Sequence, residues 1–313
     1  MLKAAGFFMP AKENYAKPAL TLEQQINLLE ERRLTIGNRV KAESFLAFVS
    51  YYRFSAYTFS FEMPASDGKR SHAFRRGATF SDIVKLYNFD RELRLRFIDA
   101  LETVEIAFRS ILCGRLALEY GPYWYENTGL FARKDKHSEF LWKLDSELSR
   151  QKNKEIFIKH YSDRYDTPKR PPIWMVIEII SLGTSSKLFG NLKHSRDKKL
   201  ISKHFGLHPN VLKSWFHSLT TLRNICAHHS RLWNRRFPFT PAIPHALARL
   251  WENTDKIHDH IWILKILLET VNRESPWLDN MRSFLCEHDH IDKRQMGFCA
   301  DWQSDAVWKG HTA

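Results

Sequence analysis

Apolar residues return every three or four positions along most of this chain, and strand-type alternation is nearly absent. Leu93, Phe97, Leu101, Val104, Phe108 and Leu112 mark one face of a long helical stretch from Ser81 to Tyr120, with room for a break near Asn88 and a stop at Gly121-Pro122. Upstream, Thr21 and Gln24 have capping-box spacing ahead of an apolar pattern, so a first helix starts there and ends at Gly37-Asn38. A second helix is expected over residues 40–49. The aromatic run from Tyr51 to Phe61 fits either a helix or a short strand, and Pro64 to Gly77 reads as an exposed basic loop. Residues 123–137 are loop-like, and a helix is expected over 138–161. Pro168, Pro171 and Pro172 then make a stiff turn. Ile173 to Leu188 reads as one apolar helix with Gly183 inside it. The next helix starts after Gly206 and Pro209 and runs to about Arg235, where Pro238, Pro241 and Pro244 stop the pattern. A last helix is expected over 245–272. The pattern predicts an all-α protein, with an irregular tail (1–20), one helical domain (21–275) and a C-terminal tail (276–313) packed on that domain.

Length and composition fit such a body. The 313 residues are 43% hydrophobic and 27% charged, enough apolar material for a substantial core. Lys and Arg total 48 against 35 Asp and Glu, a surplus of 13 positive charges that favours a polyanion, RNA or DNA, as partner. The four cysteines, Cys113, Cys226, Cys286 and Cys299, are too widely spaced for a disulfide framework, which fits a reducing, cytoplasmic setting. The N-terminal apolar run stops at Pro10, short of a secretory signal. No stretch approaches the roughly 20 apolar residues that span a bilayer, and no membrane partner is expected.

The segment from Trp215 to Arg236 carries the candidate chemistry. At about 100° per residue, Trp215, Leu219, Leu222, Cys226, His229 and Trp233 form a mostly apolar stripe expected to face the core. His217, Thr221, Asn224, His228, Arg231 and Arg235 form a wholly polar one, expected to face a cleft or a partner. This separates two adjacent histidines: His228 is the chemical candidate, whereas His229 reads as packed and structural. Arg223, five residues before His228, lies roughly 140° around the helix, but its length lets the guanidinium swing across a turn. An imidazole can accept or donate a proton near neutral pH, and a guanidinium binds phosphate oxygens through paired hydrogen bonds. Asn224, one turn below His228, can orient the ring or a 2′-hydroxyl. These are the parts that RNA cleavage by a neighbouring 2′-hydroxyl needs, with no metal and no cofactor. One histidine cannot easily be acid and base at once, so two copies of the helix, in a homodimer, would complete the site. The spacing alone is equally that of a solvated helix face.

The longer string from Arg223-Asn224-Ile225-Cys226-Ala227-His228 to Arg235 resembles the signature of the Abi (abortive infection) family, the AbiD/AbiF-like bacterial proteins of the HEPN ribonuclease superfamily. Tyr51-Tyr52-Arg53, the run from Tyr87 to Arg94, Pro172-Ile173-Trp174, Ser181-Leu182-Gly183-Thr184 and Met296-Gly297-Phe298 resemble other blocks of that family, in consistent order over about residues 20–310. Cys299 stands where the family pattern leads one to expect Pro. The resemblance implies a HEPN-type helical bundle with peripheral helices, and antiphage defence by a metal-independent endoribonuclease working as a dimer. By position it makes Arg223 and His228 catalytic and Asn224 supporting. It also implies possible pairing with a regulatory noncoding RNA. The alternative on the same scaffold is a non-catalytic RNA-binding regulator; a DNA-binding repressor is a third reading.

Three other constellations stand out. Glu105 and Arg109 form either a helix-stabilising ion pair or a supporting pair beside the motif helix. The basic clusters Lys69/Arg70/Arg75/Arg76 and Lys193/Arg196/Lys198/Lys199 read as solvated charge. Arg231, Arg235 and Arg236 are favoured for RNA because they share the motif helix. Cys286, His288, His290 and Cys299 have zinc-like residue types, but their one-residue gaps do not suit a zinc site, so no metal is expected.

Overall fold

The structure, a computed structural model, describes residues 14–64, 70–251 and 254–309. It contains twelve α-helices and several short 3-10 turns among the described residues, with isolated bridges but no strand, so the fold is all-α. The chain divides into two compact units, residues 1–88 and 89–313.

The first unit holds α1 (Leu22–Glu31), α2 (Arg39–Val49), α3 (Tyr51–Thr58) and the opening of α4 (Phe80–Tyr120). The Thr21–Gln24 capping box closes both ways, and Asn38 caps α2 through Lys41 N–H. The aromatic run after Ser50 is helical. Its Phe54 stacks on Phe80 with ring centres 4.5 Å apart, and Tyr57 meets Tyr87 edge-on at 5.4 Å, so packing decides a segment whose propensities fit either structure. Lys69 lies outside the described residues. Arg70, from the same expected basic cluster, is spent internally on Glu62 and Thr58.

Helix α4 is uninterrupted. The expected break at Asn88 is absent because that exposed side chain interrupts nothing, while Leu86, Phe89 and Leu93 on either side are buried. Gly121, with φ +87°, ends it.

The second unit continues with α5 (Lys134–Gln151), α6 (Ile156–Arg164), α7 (Ile173–Ile179), α8 (Leu182–Asn191), α9 (Ser195–Ser202), α10 (Pro209–Ala227), α11 (Ile257–Val271) and α12 (Trp277–Glu287). Three expected helices change. The 138–161 helix starts earlier and breaks into α5 and α6. The Ile173–Leu188 helix breaks at Ile180, which is extended, and Ser181 caps α8 by accepting from Thr184 N–H. The 245–272 helix starts only at Ile257, because the Asp259 carboxylate reaches back to Trp251 Nε1 and to the backbone N–H and hydroxyl of Thr254.

The core of this unit forms where α4, α8 and α10 converge. Phe108 stacks on Phe216 with centres 3.8 Å apart and meets Phe189 edge-on. Trp215, Trp251 and Trp262 form a second buried cluster. Helix α11 is buried nearly all round, including His258, Asp259, His260 and Lys265 among its apolar residues. No helix among the described residues is long and apolar enough to cross a membrane.

Candidate functional site

Helix α10 sets the site, and it is shorter than expected. It ends at Ala227, eight residues before Arg235. His228 is its C-cap, and its N–H still bonds Asn224 C=O at 3.0 Å. His229 then takes a left-handed conformation, φ +54°. Its N–H bonds Cys226 C=O at 3.0 Å, and Ser230 N–H reaches Ile225 C=O at 2.9 Å. This pair of bonds is a Schellman stop, built on a histidine where glycine is usual. The motif therefore straddles a helix end.

That end rewrites the expected stripes. Trp215, Leu219, Leu222 and Cys226 are buried as the apolar stripe requires. His229 is exposed and is not packed on that stripe, because the chain has already left the helix. Trp233 is buried by the returning loop instead. Arg231, Arg235 and Arg236 likewise sit past the helix end, so the expectation that they share the motif helix fails. Arg235 Nε donates to Arg231 C=O at 2.8 Å, and Arg236 lies 3.0 Å from Asp255.

The loop is held from below by two residues that sequence reasoning left without a role. Asp90 is fully buried, and its carboxylate accepts from Leu232 N–H at 3.0 Å and from Trp233 N–H at 2.6 Å. Arg94, one turn along α4, pairs with Asp90 and reaches Ser230 C=O at 3.4 Å. A signal existed: a charged i,i+4 pair set into an otherwise apolar helix face. Cys226 lies close to this pair, and burial pushes its thiol up to about 12, so it is no nucleophile.

Asn224 and His228 stand exposed on one face of α10, one turn apart, with Arg223 half-buried beside them. None of these three side chains makes a hydrogen bond or ion pair with a described residue. The backbone N–H groups of His228, His229 and Ser230 are all bonded to carbonyls of the last turn. A helix C-terminus offers carbonyl oxygens and no free N–H groups, so an anion here must be held by side-chain cations.

Glu105 and Arg109 form an ion pair, and Arg109 also donates to Ile180 C=O at 2.7 Å, at the α7–α8 junction. Helix α8 in turn lies tightly on α10: a Cβ added at Gly183 would come within 2.9 Å of Thr220 Cγ2. Arg109 thus braces the helix that supports the motif helix one turn before Arg223. Among the described residues no cluster of histidine, cysteine or carboxylate could hold a metal ion. His288, from the zinc-like set, is used in packing: its Nδ1 lies 2.9 Å from Phe284 C=O and its ring leans on Phe89.

No curated protein and no solved structure matches the chain. A family model described as Abi-like protein matches residues 44–234. That span takes in the buried Asp90–Arg94 clamp and ends just past the motif, and the match supports a role in abortive infection. The chain belongs to the Abi-like protein family.

Proposed function

We propose that this protein is a metal-independent endoribonuclease of the HEPN type, acting in defence against phage. The observation that carries the reading is the contrast at the end of α10. Arg223, Asn224 and His228 have no hydrogen-bond or ion-pair partners among the described residues, whereas Ser230 to Trp233 are clamped by Asp90 and Arg94. Binding energy has gone into holding a polar set open, which is what a preorganised site requires.

The scheme follows from the residue types. Arg223 holds the scissile phosphate and stabilises the charge that grows on its oxygens. His228 accepts the proton of the neighbouring 2′-hydroxyl as its oxygen attacks phosphorus. The bond from phosphorus to the 5′-oxygen breaks, and that oxygen takes a proton from the His228 ring of a second copy. The products are a 2′,3′-cyclic phosphate and a 5′-hydroxyl. Asn224 orients the imidazole or the 2′-hydroxyl. His229, Glu105 and Arg109 support the helix end, and Arg231, Arg235 and Arg236 hold flanking phosphates.

One copy brings only the His228 imidazole to this helix end beside Arg223 and Asn224, with His217 three turns away and His229 turned off the helix, so in this scheme an unpaired chain would bind RNA without cutting it. That state is the alternative reading, a non-catalytic RNA-binding regulator that could pair with a noncoding RNA. The test is cleavage of a mixed cellular RNA pool with chelator present, comparing wild type with Arg223→Ala and His228→Ala. Cleavage by the wild type alone, leaving 2′,3′-cyclic ends, supports the enzyme. RNA binding without cleavage in a confirmed dimer moves the assignment to the regulator. Both variants replace side chains without hydrogen-bond or ion-pair partners among the described residues, so their unfolding free energies by chemical denaturation should stay within about 0.5 kcal/mol of wild type.

A further inference from the structure

A cleft of about 640 Å³ opens between α5, α8 and α10. That is the size of a small-molecule site. Its lining is divided: Phe140 and Leu188 give an apolar surface, while Arg133, Lys136, Lys143, Lys187 and Lys213 bring five cations against one carboxylate, Glu139. Lys136 and Lys143 both pair with Glu139, at 2.8 and 2.7 Å, and Arg133 pairs with Asp135. Lys187 and Lys213 make no ion pair with any described residue. Lys198, from α9, adjoins Lys213, and burial together with that like charge pushes its ammonium below the usual range. Cations gathered without a counter-charge cost stability unless an anion joins them.

The walls are fixed in advance. Asn191 bonds the Arg133 backbone both ways, accepting from its N–H at 2.9 Å and donating to its C=O at 3.0 Å. The stem of Lys213 lies flat over Gly190, where a Cβ would meet its Cε at 3.3 Å, so the missing side chain leaves room for it. His137 does not belong to the recognition set. It is buried, bonded to Tyr125 C=O at 2.8 Å and stacked on Phe131.

The cleft also joins the motif. His217 lines it and packs edge-on against the exposed ring of Phe239, centres 4.2 Å apart. His217, Asn224 and His228 share one face of α10, and the helical rise from His217 to the end of the helix is about 15 Å.

We infer that this cleft is a nucleotide subsite, taking a phosphate on Lys187 and Lys213 and a base against Phe140 and Leu188. It deepens the ribonuclease reading and rests on it for the strand: Lys213 stands fifteen residues before His228, so the phosphate is gripped about 22 Å of helical rise from the cut. A free nucleotide has the same chemistry and is the other source of the ligand.

The experiment is fluorescence anisotropy on the full chain with a labelled single-stranded oligoribonucleotide, titrated against salt, with adenosine monophosphate as a second ligand. Wild type is compared with Lys187→Ala/Lys213→Ala and with the charge-keeping Lys187→Arg/Lys213→Arg. Loss of the one phosphate held by both lysines should weaken RNA binding about ten-fold and lower the salt slope by about 0.7, the value for one phosphate on a single strand. The arginine pair should retain binding. Unchanged RNA binding with lost mononucleotide binding assigns the cleft to a free nucleotide and keeps the subsite. If neither ligand responds to the alanine pair, the subsite is wrong, and continued RNA cleavage by wild type would show that the ribonuclease reading survives it. If wild type binds neither ligand, both readings fall together.

Discussion

Asp90 touches no reacting atom in this scheme, yet it decides where the reacting atoms are. Its carboxylate collects two backbone N–H groups of the returning loop and the Arg94 guanidinium, all in the buried interior. Such charge-assisted bonds are about twice as strong as neutral ones and directional. Removing one partner strands the other: Asp90→Ala leaves a buried guanidinium uncompensated and should cost about 3–5 kcal/mol. Chemical denaturation checks this. The double variant Asp90→Ala/Arg94→Met should cost less than Asp90→Ala alone, because no charge is then left stranded. An additive double variant would contradict the clamp. At this scale the sequence was legible in part. The run from Tyr87 to Arg94 could be flagged, and the polar set of Arg223, Asn224 and His228 could be read from its spacing. The partnership of Asp90 with Leu232 spans 142 positions and leaves no local trace.

Helix ends were the least legible elements, and each miss has a physical reason. Nothing between Ala227 and Arg235 is glycine or proline, so the pattern gave no stop. The stop comes from His229 adopting a left-handed conformation, rare outside glycine, in a loop held by the Asp90 clamp. The break between α7 and α8 was signalled by Ser181 three residues before Thr184, but the apolar residues on either side masked it. Gly183 beside that break serves helix–helix approach. Overpacking from Gly183→Ala should cost about 1–3 kcal/mol, against at most about 1 kcal/mol gained in helix propensity. Its melting temperature should therefore fall. In a Thr220→Ser background, which removes the Cγ2 it meets, the same change should become neutral or stabilising. An equal loss in both backgrounds would mean that the α8–α10 contact is not what glycine serves.

At the scale of the whole molecule, the all-α fold followed from periodicity alone, whereas the burial of α11 nearly all round was not legible, because His258, Asp259, His260 and Lys265 interrupt its apolar residues. His260 within α11 links stability to pH. It is buried, its Nε2 lies 2.9 Å from Ser218 Oγ, its ring leans on Phe237, and burial holds its pKa down at about 4 against an ordinary 6.5. Between those values the unfolded chain binds the extra proton, so stability rises with pH. The contribution, roughly 3 kcal/mol, is complete above about pH 6.5 and is lost as pH falls towards 4. Denaturation midpoints of wild type should drop across that window, and those of His260→Gln should drop less. Parallel curves would place the acid sensitivity elsewhere.

The most direct test of the central claim uses a short oligoribonucleotide carrying a single 2′-deoxy substitution at the position where the wild-type protein cuts the all-ribose strand, with chelator present throughout. The account predicts that the all-ribose strand is cut, that the substituted strand resists at that position, and that His228→Ala cuts neither. An uncut all-ribose strand, equal cutting of both strands, or cutting that persists in His228→Ala would contradict it.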